Sequence, residues 1–242
     1  MDEATRVTAE PRGVDGGRGI AWWTDAWALF MKNPGMWIAY GIILFIVFAV
    51  LGFIPFIGGL VASLVAPVFV GGWMLAARKV DTGGTLEVGD LFEGFKAKVQ
   101  PLVVLGALLL AAAIVIGLVV GALGFGSAMG FMMGGAQSSA GMAAAMGAGM
   151  LAMLVMTVLG FVVAMAFWYA PALVVFRDVA PVDALKASFS ASLKNIVAFL
   201  LYGILYIIAA IVASIPFMLG WIVLIPVVML SIYVSTKDVF GG

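Results

Sequence analysis

The side chains able to do chemistry in this chain of 242 residues are few. It has no His and no Cys, which removes the commonest general base, the commonest metal ligand and the thiolate nucleophile. Asp90 and Glu93 are spaced as an acid–base pair could be. The same spacing suits a helix start with Asp90 as its N-cap, where carboxylates are stabilising, and that reading is preferred. Gly83-Gly84-Thr85 lacks the lysine and the spacing of a phosphate-binding loop. Met129, Met132, Met133, Met142 and Met146 gather in the uncharged Gly/Met-rich segment 124–147. Thioethers bind Cu(I), but Met at helical spacing also fills irregular gaps between helices, and the second reading is favoured. No catalytic set, metal site or cofactor is expected, and the chain reads as non-enzymatic.

The basic groups are better placed for contact than for catalysis. Arg78, Lys79, Lys96, Lys98, Arg177, Lys186 and Lys194 all stand at the ends of long uncharged runs. Beside an anionic leaflet each such residue contributes about 1 kcal/mol, and the same residues serve as plain topology signals. Trp23, Trp27, Phe92, Phe95 and Phe189 lie in short amphipathic stretches next to those runs, and complete the set of candidate contacts to lipid headgroups or a protein partner. Twelve basic and twelve acidic residues cancel, so no nucleic-acid partner is expected.

The elements that carry these residues follow from composition. The chain is 65% hydrophobic and 10% charged, with a mean hydropathy of +1.23. Soluble domains are typically about 45–50% apolar and about 25% charged. The expected fold is therefore all-α: a polytopic membrane protein with six transmembrane helices near 35–53, 60–77, 101–123, 148–170, 196–214 and 219–234. Pro171 falls in the last turns of the fourth. Each span is near the roughly 20 residues that cross a bilayer core. Residues 1–19 are polar and Gly-rich without an apolar core, and read as a disordered cytoplasmic tail rather than a signal peptide. Residues 20–240 read as one membrane domain.

Three amphipathic stretches precede the spans in pairs. In the first, Trp23, Trp27 and Phe30 recur at i, i+4, i+7 on one helical face. Leu91, Phe92, Phe95 and Val99 line the second, and Leu185, Phe189 and Leu193 the third. Internal matches point the same way. Asn33 and Asn195 lie 162 residues apart, as do Tyr40-Gly41 and Tyr202-Gly203. Ile54-Pro55-Phe56 returns as Ile215-Pro216-Phe217, and Pro67-Val68 as Pro226-Val227. The expected design is three parallel-repeat hairpins (about 20–80, 88–178 and 183–238), each preceded by an interfacial helix. With six spans all twelve Lys and Arg fall on one side, which the positive-inside rule makes cytoplasmic, termini included.

Trp27, Phe30, Lys32-Asn33-Pro34, Pro67, Ala76-Ala77-Arg78 and Asp90-Leu91-Phe92-x-x-Phe95 together resemble an uncharacterised family of inner-membrane proteins of Burkholderia-type bacteria, over roughly residues 19–240. Pro181-x-x-Ala184-Leu185-x-x-Ser188 followed by Lys194-Asn195 is more loosely similar to the membrane domain associated with glycerophosphoryl diester phosphodiesterases. Neither resemblance brings a catalytic residue, and the soluble phosphodiesterase barrel is absent. What they imply is a bacterial inner-membrane scaffold or accessory protein that touches lipid or a cytoplasmic partner. The rival expectation is a permease or lipid carrier whose path would use Thr157, Tyr169, Tyr202, Tyr206, Ser214 and Tyr233. The lack of any charge within a span argues against a proton-coupled pump with a carboxylate relay, and leaves a facilitator or lipid-handling path open.

Overall fold

A computed structural model describes residues 10–133 and 138–241. Residues 1–9 of the expected tail, and 134–137 of the Gly/Met-rich segment, lie outside the described residues. Among the described residues the ordered elements are helical. They are α1 (Arg18–Met31), α2 (Pro34–Gly52), α3 (Ile57–Asp81), α4 (Glu93–Ala97), α5 (Val99–Met133), α6 (Ser139–Phe167), α7 (Ala170–Arg177), α8 (Pro181–Lys194), α9 (Ile196–Ser214) and α10 (Trp221–Phe240). A single 3-10 turn, Val88–Phe92, leads into α4. Six stretches are long and apolar enough to cross a membrane: 34–52, 57–81, 99–126, 141–177, 196–214 and 221–240.

The chain divides into two compact units. The smaller, Leu108–Ala164, consists of the later part of α5 and most of α6. With 35 residues α5 is about 52 Å long, well beyond the ~30 Å of a hydrocarbon layer. Small residues and Met carry both helices through the described parts of 124–147, and Met132, Met142, Met146 and Met150 are exposed.

The larger unit holds everything else. α2 and α9 are each 19 residues, about 28 Å, and follow Asn33 and Asn195 respectively. Pro34 starts α2, where a missing N–H costs nothing. The uncharged turns after α2 and α9 place Phe56 and Phe217 at positive φ, 59° and 50°. Pro67 lies within α3 and Pro226 within α10. Prolines inside membrane helices are tolerated because neighbours and local adjustments satisfy the freed carbonyls. One part of the core stacks Trp37 on Trp73 at 5.9 Å, with Tyr40 edge-on to both. A second part gathers Trp22, Leu102, Leu105, Tyr169, Leu173 and Tyr202, all buried.

Three local expectations are corrected. The fourth crossing does not run unbroken to Pro171. It stops at Phe167, and α7 starts afresh at Ala170 with Pro171 in its first turn. Two serines of α8 take up the backbone groups released there. Ser188 Oγ accepts the Tyr169 N–H at 3.0 Å and donates to the Met165 carbonyl at 2.8 Å, and Ser192 reaches the same carbonyl at 3.2 Å. Asp90 is not the N-cap expected. Glu87 takes that place, and Asp90, three residues on, accepts the Glu87 N–H at 2.8 Å in a capping box. The aromatics expected on one face of α1 do not share one environment: Phe30 lies on the buried face with Gly19, Trp22, Ala26 and Leu29, Trp23 at its edge is half-buried, and Trp27 is exposed. The buried face packs on α9 and α10.

Candidate functional site

Charge in the larger unit collects where several helix ends meet, because each end brings its own polar residues out of an apolar run. α3, α7 and α10 finish there with Arg78-Lys79, Arg177 and Lys237. Most of the basic candidates hold the fold together. Lys79 Nζ sits 2.9 Å from both oxygens of Asp90, tying α3 to the turn before α4. Lys98 meets Asp178 at 2.7 Å across 80 residues of sequence. Arg177 donates to the carbonyl oxygens of Phe240 and Gly241, so it caps α10. Lys194 donates to the Pro11 carbonyl at 2.9 Å. Lys96 and Lys186 pair only one turn away, with Glu93 at 2.7 Å and Asp183 at 3.7 Å. Such exposed pairs are screened by solvent and contribute little.

Arg78 differs from the rest. Among the described residues no carboxylate pairs with it, and its guanidinium carbon lies 4.8 Å from the centre of the Phe176 ring. It lines a cavity of about 420 Å³ with Asp81, Phe176, Arg177, Tyr233 and Lys237. Asp81 accepts from Tyr233 Oη at 2.9 Å and pairs with Lys237 at 2.5 Å.

Several of these contacts come from residues that sequence reasoning passed over. Asp238 receives Arg18 at 2.6 Å and the Trp22 indole N–H at 2.8 Å. The hydrogen bond to Asp238 raises the Arg18 guanidinium above its ordinary value. Asn195 Oδ1 accepts the Val14 N–H at 2.7 Å, and its amide donates to the Arg12 carbonyl at 3.1 Å. Residues 10–17, part of the stretch expected as a tail, run beside α10, where the Arg12 N–H reaches the Val239 carbonyl at 2.9 Å. Asn195 stands between α8 and α9, and its amide also donates to the Ala191 carbonyl at 3.0 Å. For Asp238 a terminal Lys-Asp pair gave no signal.

The aromatic candidates divide. Phe92 and Phe95 meet Phe69 of α3 edge-on at 5.8 and 5.1 Å; Phe95 is half-buried and Phe92 remains exposed. Trp23 stacks on Tyr202 at 4.9 Å and is half-buried. Trp27 is 48% exposed, and Phe189 is half-buried. Trp23 and Trp27 border an apolar hollow of about 590 Å³ with Ala213, Val223 and Leu224. Outward-facing apolar rows remain on two helices: Ile20, Trp27 and Met31 on α1, Val182 and Leu193 on α8.

Most polar groups within the crossings have separate partners, and the buried Tyr169 hydroxyl has no hydrogen-bond partner among the described residues. Tyr202 and Ser231 hydroxyls meet at 2.7 Å, Ser214 accepts the Trp221 indole N–H at 3.0 Å, and Tyr233 serves Asp81. Tyr169 packs on Phe240 at 5.4 Å, Tyr206 borders a shallow hollow on α9, and Thr157 returns to the Met153 carbonyl of its own helix at 2.8 Å. Among the described residues no three carboxylates come together in a way that could hold a metal.

Residues 37–237 match the DUF7847 family, described as a domain of unknown function, and the chain belongs to that family. It is also similar to a probable inner membrane protein of Burkholderia thailandensis, 29% identical over 202 residues that cover 81% of this chain and 74% of the relative. No solved structure matches the chain. With six apolar helices and this kinship, it is a multi-pass membrane protein of an uncharacterised family.

Proposed function

We propose that the chain is a non-enzymatic scaffold or accessory protein of a bacterial inner membrane, touching lipid or a cytoplasmic partner through the outer rows of its amphipathic helices. The observation that carries this reading is the dispersal of the polar groups inside the crossings. A carrier needs them along one path, and here Thr157, Tyr202, Ser214 and Tyr233 each close on a different local partner, while the Tyr169 hydroxyl is buried with no hydrogen-bond partner among the described residues. The Burkholderia relative, a probable inner membrane protein, supports the membrane assigned.

The same proposal holds the chain to be three hairpin repeats with both termini cytoplasmic. Support for the repeats lies in their dimensions. A 14-residue helix precedes a 19-residue crossing in the first unit and again in the third, as α1 and α2 and as α8 and α9. Positive-φ Phe residues follow both crossings, and Pro-containing helices close both units. Support for the orientation is the gathering of basic residues at one set of helix ends.

The outer rows can be tested directly. Because Phe92 and Phe95 also contact Phe69 within the unit, the informative change is Val182 and Leu193 to Ser on α8. Wild-type and variant protein would be taken from native membranes into nanodiscs and the retained molecules measured by mass spectrometry. A stoichiometric protein companion lost from the variant is the expected result. A single small molecule or lipid class held equally by both, with no companion, would instead favour the carrier.

A further inference from the structure

The cavity beside Arg78 is lined by three cations from three different helix ends: Arg78 of α3, Arg177 of α7 and Lys237 of α10. Basic residues at helix C-termini ordinarily offset the negative end of the helix dipole, and two of these three act in that way or in an ion pair. Arg177 donates to the last carbonyls of α10, and Lys237 pairs with Asp81. Among the described residues Asp81 is the one carboxylate in the lining, so there three positive charges face one negative. Arg78 makes no ion pair among the described residues. It is steadied on the Phe176 ring at 4.8 Å, a contact that fixes a guanidinium plane without using its N–H donors.

We infer that this cavity is a binding site for a phosphate-bearing anion, with Arg78 as the donor fork and Arg177 and Lys237 supplying charge behind it. A phosphate group carries one to two negative charges near neutrality, matching the excess, and offers paired oxygens to a planar guanidinium. At about 420 Å³ the cavity lies at the lower end of small-ligand sites, with room for a phosphate and a short polyol but not for acyl chains. The group can come from the headgroup of an anionic lipid, whose chains stay outside, or from a soluble phosphomonoester. This inference goes beyond the accessory reading and does not depend on the outer rows of α1 and α8.

The experiment uses the full chain in nanodiscs and has two arms. In neutral phosphatidylcholine discs, inorganic phosphate and glycerol 3-phosphate are titrated and binding is read by calorimetry. In discs containing phosphatidylglycerol, retained lipid is counted by native mass spectrometry. Each arm compares the wild type with Arg78→Gln, Arg78→Lys and Lys186→Gln, the last an exposed charge away from the cavity. Expected is one anion per chain, weakened about ten- to a hundredfold by Arg78→Gln, less by Arg78→Lys and not by Lys186→Gln. Saturation in the first arm identifies a soluble source; specific retention only in the second identifies a lipid. Absence of stoichiometric binding in both arms, or equal loss for Arg78→Gln and Lys186→Gln, overturns the site. A melting curve for each variant separates loss of binding from loss of fold.

Discussion

Gly72 of α3 and Gly94 of α4 face each other so closely that the two backbones touch. A β-carbon on Gly94 would overlap the Val68 carbonyl, and one on Gly72 would overlap the Leu91 carbonyl. This contact is what lets Phe92 and Phe95 straddle Phe69, and it seats Asp90 beside Lys79. The short α4 is thus fastened to α3 by shape first and by charge second.

Gly94→Ala is therefore expected to destabilise the larger unit by about 1–3 kcal/mol, the usual range for overpacking a tight contact. The measurement is thermal melting in detergent, with Gly89→Ala as the comparison, since open space surrounds Gly89. Equal melting of the two variants would mean that the approach of α3 and α4 is looser than described.

Ser188 stands in for a missing turn of helix between α6 and α7. Removing its hydroxyl leaves the buried Tyr169 N–H without an acceptor, while Ser192 still serves the Met165 carbonyl. Ser188→Ala should cost about 1–3 kcal/mol, the range for leaving a buried donor unsatisfied, and Ser192→Ala clearly less. The order of the two melting temperatures is the test; a larger effect from Ser192 would contradict the assignment.

How much of this was legible beforehand depends on the range of the interaction. The crossings could be read because hydrocarbon length sets one number, and α2 and α9 start within a residue or two of expectation. The break before Pro171 could not, because it is stabilised by serines about 20 residues downstream in sequence. The burial of Trp22 on α1 was not legible, because Trp suits both a membrane interface and a core. Trp22 is fully buried, and its indole finds Asp238, 216 residues away. Basic residues were legible as a set, but their individual engagements were not. Lys98 with Asp178 and Arg177 with Gly241 are long-range pairings that a charge pattern cannot assign.

Asn195 holds the segment before α1 by bonding the backbone at both Arg12 and Val14. Asn195→Ala should release that segment and speed trypsin cleavage after Arg12 several-fold, as local opening exposes the backbone. Asn33→Ala is the control, because Asn33 makes no side-chain cap hydrogen bond at the start of α2. Unchanged cleavage in the Asn195 variant would place the hold on the segment elsewhere, with Lys194 and Pro11 the next contact to remove.

The proposed orientation can be tested cleanly because the chain contains no Cys. Phe217 lies in the uncharged turn after α9 and is 96% exposed, and Lys186 is exposed on α8 beside the basic helix ends. If the basic side is cytoplasmic, a membrane-impermeant maleimide added to intact spheroplasts should label Phe217→Cys and leave Lys186→Cys unmodified until the membrane is opened. The reverse pattern would invert the chain and put the cavity beside Arg78 on the outer face. Labelling of both positions in intact cells would contradict the six-crossing arrangement itself, because a turn and a helix separated by one crossing cannot share a side.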